Sequence, residues 1–268
     1  MIGPAGPLSS GFGSLPAMTH EERLALAREL TARLLDRHGD GLVAVGLHGS
    51  VARGDDRDGD DLDLAVVTAG PEVEVPDRAL RHRGVVVDLG AIPADAYLDE
   101  AGQVGPTWPL AADQYTRHLA LHDPGGFFHQ LAHAHEMAME AAPESAFLAA
   151  AGYDLVQFLS WEGKARGAEL HSDLPGAMLA VREAALLAAL VVGLATRTAY
   201  RNAAHALTAA AFASDAPPGF AEPYRRVLSP GTDPAGAVIS LGRASDALVA
   251  WAGQLGIPFE AEDLDAFL

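Results

Sequence analysis

Cysteine is absent from all 268 residues, which excludes disulfides, thiolate metal sites and cysteine nucleophiles and leaves the redox compartment unmarked. Bases are scarce: 18 Lys and Arg stand against 36 Asp and Glu, a formal charge of −18 at pH 7. A surface this acidic repels phosphate backbones, so no nucleic-acid partner is expected, whereas a small cationic substrate would be concentrated by the same field. Long hydrophobic runs are also missing. The longest charge-free apolar run of the second half, Ala184 to Thr196, is shorter than the roughly 20 residues needed to cross a bilayer. It reads as a buried helix, and no membrane partner is expected. There is no Walker loop, no GxGxxG and no GxSxG, which removes P-loop, dinucleotide-binding and serine-hydrolase readings.

What is present is a globular chain, 49% apolar and 20% charged, of a length suited to one or two domains. Residues 1–18 hold Gly, Pro and Ser without a charge; lacking the basic start of a secretory signal, they are expected to form a flexible extension. Thr19-His20-Glu21-Glu22 is a capping box, and Leu24, Leu26, Leu30, Leu34 and Leu35 give the following helix one apolar face up to Gly39. Leu42 to Leu47, Leu62 to Val67 and Val85 to Leu89 have the length and valine content of strands. From about Phe127 to Arg201, and again from Val238 to Leu255, the texture becomes Ala/Leu-rich with helical spacing. Pro143 marks the expected boundary, between a domain over 19–142 and a helical domain over 143–268.

The chemistry concentrates in Gly46 to Val67, GLHGSVARGDDRDGDDLDLAVV. Residues two apart in a strand share a face, so Asp61 and Asp63 project together while Leu62 and Leu64 point to the core. Two carboxylates about 6 to 7 Å apart suit a hard divalent cation, and Asp88, in VVVDL on the next expected strand, could add a third. Gly49 allows a phosphate to approach the backbone closely, and Ser50 and Arg53 add a hydroxyl and a charge-assisted donor. The plainer reading makes Asp55, Asp56, Asp58, Asp60, Asp61 and Asp63 one solvated acidic loop. That reading explains neither the alternation with leucine nor the Gly-Ser-x-x-Arg before it. An EF-hand is excluded, because counting from Asp56 the glycine of position six is Asp61 and position twelve is Val67.

These residues resemble the nucleotidyltransferase superfamily of polymerase beta type, with its Gly-Ser, Asp-x-Asp and third-strand carboxylate. The resemblance is closer to the kanamycin nucleotidyltransferase, or aminoglycoside 4′-nucleotidyltransferase, family. It extends over MTHEERLALARELTARLLDRHGDGLVAVGLHGSVAR, the stretch from Gln103-Val104 to Trp108-Pro109-Leu110, the Asp123 to Gly126 turn and Gly163-Lys164. It implies an α+β fold: an N-terminal nucleotidyltransferase domain, with a small mixed sheet flanked by helices, followed by an all-α helical bundle. The implied reaction moves a nucleoside monophosphate, normally AMP from ATP, to a hydroxyl of a small molecule and releases pyrophosphate. Asp61, Asp63 and Asp88 would hold Mg²⁺, two ions in all; Gly49, Ser50, Arg53 and Lys164 would bind the nucleotide; Gln114 and Ser160 would face the acceptor. Similar enzymes are homodimers, and a cytoplasmic location and a role in antibiotic resistance come with the resemblance.

Lys164 is the single lysine in a chain whose other strong bases are all arginine, and it falls where the family has its active-site lysine. A compact rotatable ammonium beside a triphosphate is a reason to keep lysine over a planar fork; an accidental surface lysine is the alternative. The match breaks four residues earlier, where the family's catalytic glutamate is replaced by Ser160. The nearest acid, Glu162, lies on roughly the opposite side of an ideal helix, so either Glu162 or Asp88 is the base or the hydroxyl is activated otherwise. Val86 stands where a lysine is expected, the segment between Val67 and Val85 has no counterpart for an extra glutamate, and Pro106 and Thr107 replace polar residues. These departures cluster around the acceptor, so neither kanamycin nor its 4′-hydroxyl follows. A sequestering protein that has lost its base and a minimal, protein-modifying nucleotidyltransferase are the competing readings. His129 and His133 have helical spacing that could bind zinc but lack an HExxH motif, and Met137, Met139, Phe147 and Phe158 read as packing.

Overall fold

The computed structural model describes residues 18–260; all of the expected extension except Met18 lies outside them. The capping box opens helix α1 (His20–His38): the Thr19 amide donates to Glu22 Oε2 at 2.8 Å and the Glu22 amide to Thr19 Oγ1 at 3.2 Å. A single 3-10 turn then leads into strand β1 (Leu42–Leu47), followed by a short helix α2 (Gly49–Arg53) and strand β2 (Leu62–Thr68). Strands β3 (Arg78–His82) and β4 (Val85–Pro93), helices α3 (Ala94–Ala101) and α4 (Trp108–Thr116), strand β5 (Leu119–His122) and helix α5 (Phe127–Ala141) complete this part.

The five strands form one mixed sheet in the order β3-β4-β2-β1-β5. Only β2 and β4 run parallel; the other neighbours are antiparallel. The sequence reading anticipated β1, β2 and β4. It did not anticipate β3 and β5, the two edges: β3 carries charge and is exposed throughout, and β5 is only four residues long, so neither shows the apolar alternation that marks a buried strand. One face of the sheet carries Val45, Leu47, Leu62, Leu64, Val66, Val85 and Val87 and packs with Leu26 and Ala27 of α1 in a closed core. Strand alternation therefore assigns His48, Asp63, Ala65, Asp88 and Gly90 to the opposite face. There Gly46 leaves room for the Phe128 ring of α5, which a Cβ would strike.

Among the described residues, 18–101 and 114–136 form one compact unit and 102–113 and 137–260 form the other. The second unit is helical, built on α6 (Glu144–Leu170) and α7 (Leu174–Ala195), joined through Asp173, whose side chain accepts from the Gly176 amide at 3.0 Å. Helices α8 (Ala203–Phe212), α9 (Ala221–Leu228) and α10 (Pro234–Leu255) follow. Alanines 177, 180, 184, 185, 188 and 189 let α7 approach its neighbours closely, and Phe147, Leu155 and Phe158 of α6 fill the space. Tyr224 donates to the Ala185 carbonyl at 2.8 Å and Tyr200 to that of Ala189 at 3.2 Å, so both buried hydroxyls are satisfied. By length and composition α7 could span a membrane, yet 67% of its apolar window is buried within the unit.

Candidate active site

The parallel register of β2 and β4 sets Asp63 directly beside Asp88. Asp61 precedes β2 by one residue, and Leu62 and Leu64 beside these acids are fully buried, as the alternation requires. Burial first, then the charges of Asp61 and Asp88, push the Asp63 carboxyl up to about 7, with the Arg53 guanidinium opposing them. All four groups thus share one electrostatic environment.

Gly49 opens α2 with φ +71°, a left-handed conformation that disfavours any side chain, and a Cβ there would overlap Asp63 Oδ2. The backbone itself seats the carboxylate. Ser50 follows in the first turn of α2, and Arg53 at its end donates through Nε to Asp55 Oδ1 at 3.2 Å.

The loop from α2 to β2 is more than a solvated acidic run. Asp56 has both oxygens held by α1: His20 Nδ1 lies 2.6 Å from Oδ1 and Arg23 Nη1 donates to Oδ2 at 2.7 Å. Arg23 also donates through Nη2 to the Arg57 carbonyl at 2.8 Å, and the Arg23 and Asp56 side chains are 2% and 1% exposed. The two bases hold the Asp56 carboxyl below its ordinary value despite its burial. Sequence reasoning missed this clamp. Its signal was a charged residue, Arg23, in register with the apolar stripe of α1.

Along the same sheet face, the pair after Asp63 and Asp88 is Ala65 beside Gly90. These small residues line a cavity of about 450 Å³ that Gln114 and His48 also border. Tyr97, on α3, donates to the Gln114 carbonyl at 2.9 Å and lies 3.2 Å from His118 Nε2. Burial, with His48 nearby, pushes His118 down to about 3, a neutral ring stacked on Phe128.

The remaining expected residues belong to the helical unit. Ser160 and Lys164, one turn apart, are both exposed on α6, and Lys164 Nζ lies 3.9 Å from the centre of the Trp161 ring. Glu162 does not share their face. It is 3% exposed, accepts from Arg166 Nη2 at 2.8 Å and turns towards Gly242 of α10; of the two acids the sequence offered as base, Glu162 is thus held in an intrahelical ion pair away from the face that carries Ser160 and Lys164. On α5, His129 and His133 are exposed, while the buried His135 Nδ1 lies 2.7 Å from the Ala101 carbonyl oxygen.

Among the described residues no three His, Asp or Glu side chains are already drawn together around a metal-sized space. The chemistry of Asp61, Asp63 and Asp88 nevertheless fits a hard cation: all donors are oxygen, and their mutual repulsion at Asp63 is the kind a divalent ion relieves.

Residues 27–105, which include the Gly49 turn, Asp61, Asp63 and Asp88, match the nucleotidyltransferase domain family. The matched segment, 27–105, is a nucleotidyltransferase domain. Over 212 residues this transferase is similar to the aminoglycoside nucleotidyltransferase (4′) of Staphylococcus aureus and to that of a Bacillus species. Each is 26% identical over that stretch, covering 79% of this chain and 82% of the relative. Its fold is like that of a nucleotidyltransferase-like protein from Exiguobacterium sibiricum 255-15, with a TM-score of 0.50 at 14% identity over 85% of this chain and 77% of that one.

Proposed function

We propose that this nucleotidyltransferase moves AMP from ATP to a hydroxyl of a small cationic acceptor of the aminoglycoside class, releasing pyrophosphate and inactivating the antibiotic in the cytoplasm. The observation that carries the reading is the pairing of Asp63 with Asp88 beside Asp61 and the Gly49 turn. The relatives named above supply the acceptor class.

In this reading Asp61, Asp63 and Asp88 would hold Mg²⁺, two ions, and the metal would supply charge neutralisation on the triphosphate. Ser50, Arg53 and the amides of the Gly49 turn orient the phosphates. The acceptor oxygen forms a bond to the α-phosphorus, the bond from that phosphorus to the pyrophosphate oxygen breaks, and the hydroxyl proton passes to a carboxylate. With Glu162 turned into the helical unit, Asp88 is the carboxylate assigned to that proton. Lys164 contributes a cation to the nucleotide from α6, and Ser160 faces the acceptor, in a homodimer.

Pyrophosphate release with ATP and Mg²⁺ across a panel of aminoglycosides tests the reading. Release should require one acceptor class and should fall at least 100-fold in Asp63→Asn. Undiminished turnover in that variant removes Asp63 from the mechanism. Tight antibiotic binding with no release under any nucleotide replaces the enzyme reading with a sequestering protein.

A further inference from the structure

We propose that His20, Arg23 and Asp56 are positioning residues for the metal site: their clamp fixes the placement of Ser50 and Arg53 relative to Asp61, and through it the affinity for the divalent cation. This role rests on the transferase reading above. Three observations carry it.

The first is the composition of the connection. Residues 54–60, GDDRDGD, are all that join the phosphate-facing helix α2 to Asp61, and they contain no apolar side chain. Glycine and like charge give such a segment nothing of its own to hold it, and its carboxylates repel one another. Its shape has to be imposed from another element.

The second is how the clamp branches. Asp56, in the middle of the segment, is anchored in α1 through both oxygens, and from that anchor the chain is tied in two directions. Towards α2, the Asp55 amide donates to the Ser50 carbonyl at 3.2 Å, and the Asp55 carboxylate accepts from Arg53 Nε. Towards β2, the Arg57 carbonyl accepts from Arg23 Nη2 and, at 3.0 Å, from the Asp60 amide, while Asp60 Oδ2 accepts from the Arg57 amide at 3.0 Å. Asp61 is the next residue. One arginine of α1 thus holds both the turn that ends at Asp61 and, through Asp56, the turn that begins at Ser50.

The third is the cost of building it this way. Arg23 and Asp56 are both stripped of water, and the buried Arg23 Nε has no hydrogen-bond partner. Apolar residues of similar volume would stabilise the contact as well or better, but they would not supply a direction; a guanidinium facing a carboxylate does. Direction is what Asp61 needs, because its charge is felt at Asp63 and repulsion drives the two acids apart unless the backbone leading into β2 is fixed. Both bases precede residue 27, where the segment matched to the domain family begins, so they reach the matched domain from outside it.

The test uses the full chain and three readouts: Mn²⁺ binding followed by electron paramagnetic resonance, a thermal melt, and pyrophosphate release. Arg23→Ala breaks the pair from one side, and Arg23→Met with Asp56→Leu replaces it by an apolar contact. His20→Ala removes only the half-exposed base and leaves the buried pair, so folding is not at stake. The double variant should melt above Arg23→Ala and still bind Mn²⁺ about tenfold more weakly than the unaltered protein, while His20→Ala should bind it about threefold more weakly at an unchanged melting temperature. The Mg²⁺ concentration for half-maximal pyrophosphate release should rise in the same order. If Mn²⁺ affinity returns with stability in the double variant, the clamp is structural and the positioning role falls. Should that variant not fold, His20→Ala decides alone, and normal Mn²⁺ affinity there overturns the role. If Mn²⁺ affinity follows the clamp although no acceptor supports pyrophosphate release from the unaltered protein, the positioning role stands and the transfer reading falls. Mn²⁺ binding that is absent from the unaltered protein, or that is unchanged in Asp63→Asn, overturns both.

Discussion

Gly49 joins backbone conformation to chemistry at one residue. Its φ of +71° costs an alanine of order 1 kcal/mol, but the larger consequence is spatial, because the new Cβ and Asp63 Oδ2 claim the same volume. Gly49→Ala should therefore lower transfer at least 100-fold while the melting temperature falls only a few degrees, checked by steady-state kinetics beside a thermal melt. A variant with normal turnover would show that the seat of Asp63 is not needed. Arg23 and Asp56 behave in the opposite sense. Breaking a buried ion pair from one side leaves an uncompensated charge and costs about 3 to 5 kcal/mol. Arg23→Ala is expected to lose that much in a urea titration, and replacing Arg23 and Asp56 together by apolar residues should recover part of it. The two sites also differ in how far they were legible. Asp63 and Asp88 could be read because strand alternation is local: apolar residues on either side, Leu62 and Leu64 or Val87 and Leu89, fix the face of the acid between them. Asp56 sits among five other aspartates with nothing local to distinguish it, and only its partner, 33 residues earlier, makes it a buried group.

At the scale of elements, helix α6 illustrates what periodicity does and does not determine. A 3.6-residue repeat separates Ser160 and Lys164 from Glu162, and it did so from the sequence. Which side meets the core depends on the apolar content of the whole 27-residue helix, and Phe147, Ala151, Leu155, Phe158 and Ala165 turn Glu162 inward. The same core face carries Asp154, 3% exposed and with Oδ2 lacking a hydrogen-bond partner. Burial alone pushes its carboxyl up to about 7. A proton held more tightly in the folded state than in the unfolded one contributes stability that is complete below about pH 4 and is lost as pH rises to about 7. Asp154→Asn cannot lose it. The melting temperature of Asp154→Asn minus that of the unaltered protein should therefore grow between pH 4 and pH 7 and level off above, measured by calorimetry in matched buffers; a difference that does not vary with pH would show that Asp154 titrates normally. The edge strands β3 and β5 were illegible for a related reason. An edge is half solvated, so its sequence satisfies water as well as its neighbour, and the period-two signal fades.

The property that belongs to the whole molecule is charge, and it was fully legible because it needs no fold: −18 at neutral pH with a pI of about 4.8. Such a field acts on encounter more than on contact, and it acts with opposite sign on the two proposed substrates. A polycationic acceptor would be drawn in, while ATP, an anion even when carrying Mg²⁺, would be repelled except where, in the proposed site, Arg53, Lys164 and the metal would meet it. Salt separates these effects, since the screening length shrinks from about 10 Å at 0.1 M to a few ångströms near 1 M. Raising ionic strength from 50 to 500 mM should lower kcat/KM for an aminoglycoside about tenfold and leave kcat/KM for MgATP unchanged or raised. An N-acetylated acceptor serves as the control, because it keeps the hydroxyls and loses the charge, so its own weak turnover should not respond. Equal salt sensitivity of both substrates would indicate that local contacts set acceptor capture and that the acidic surface serves solubility alone.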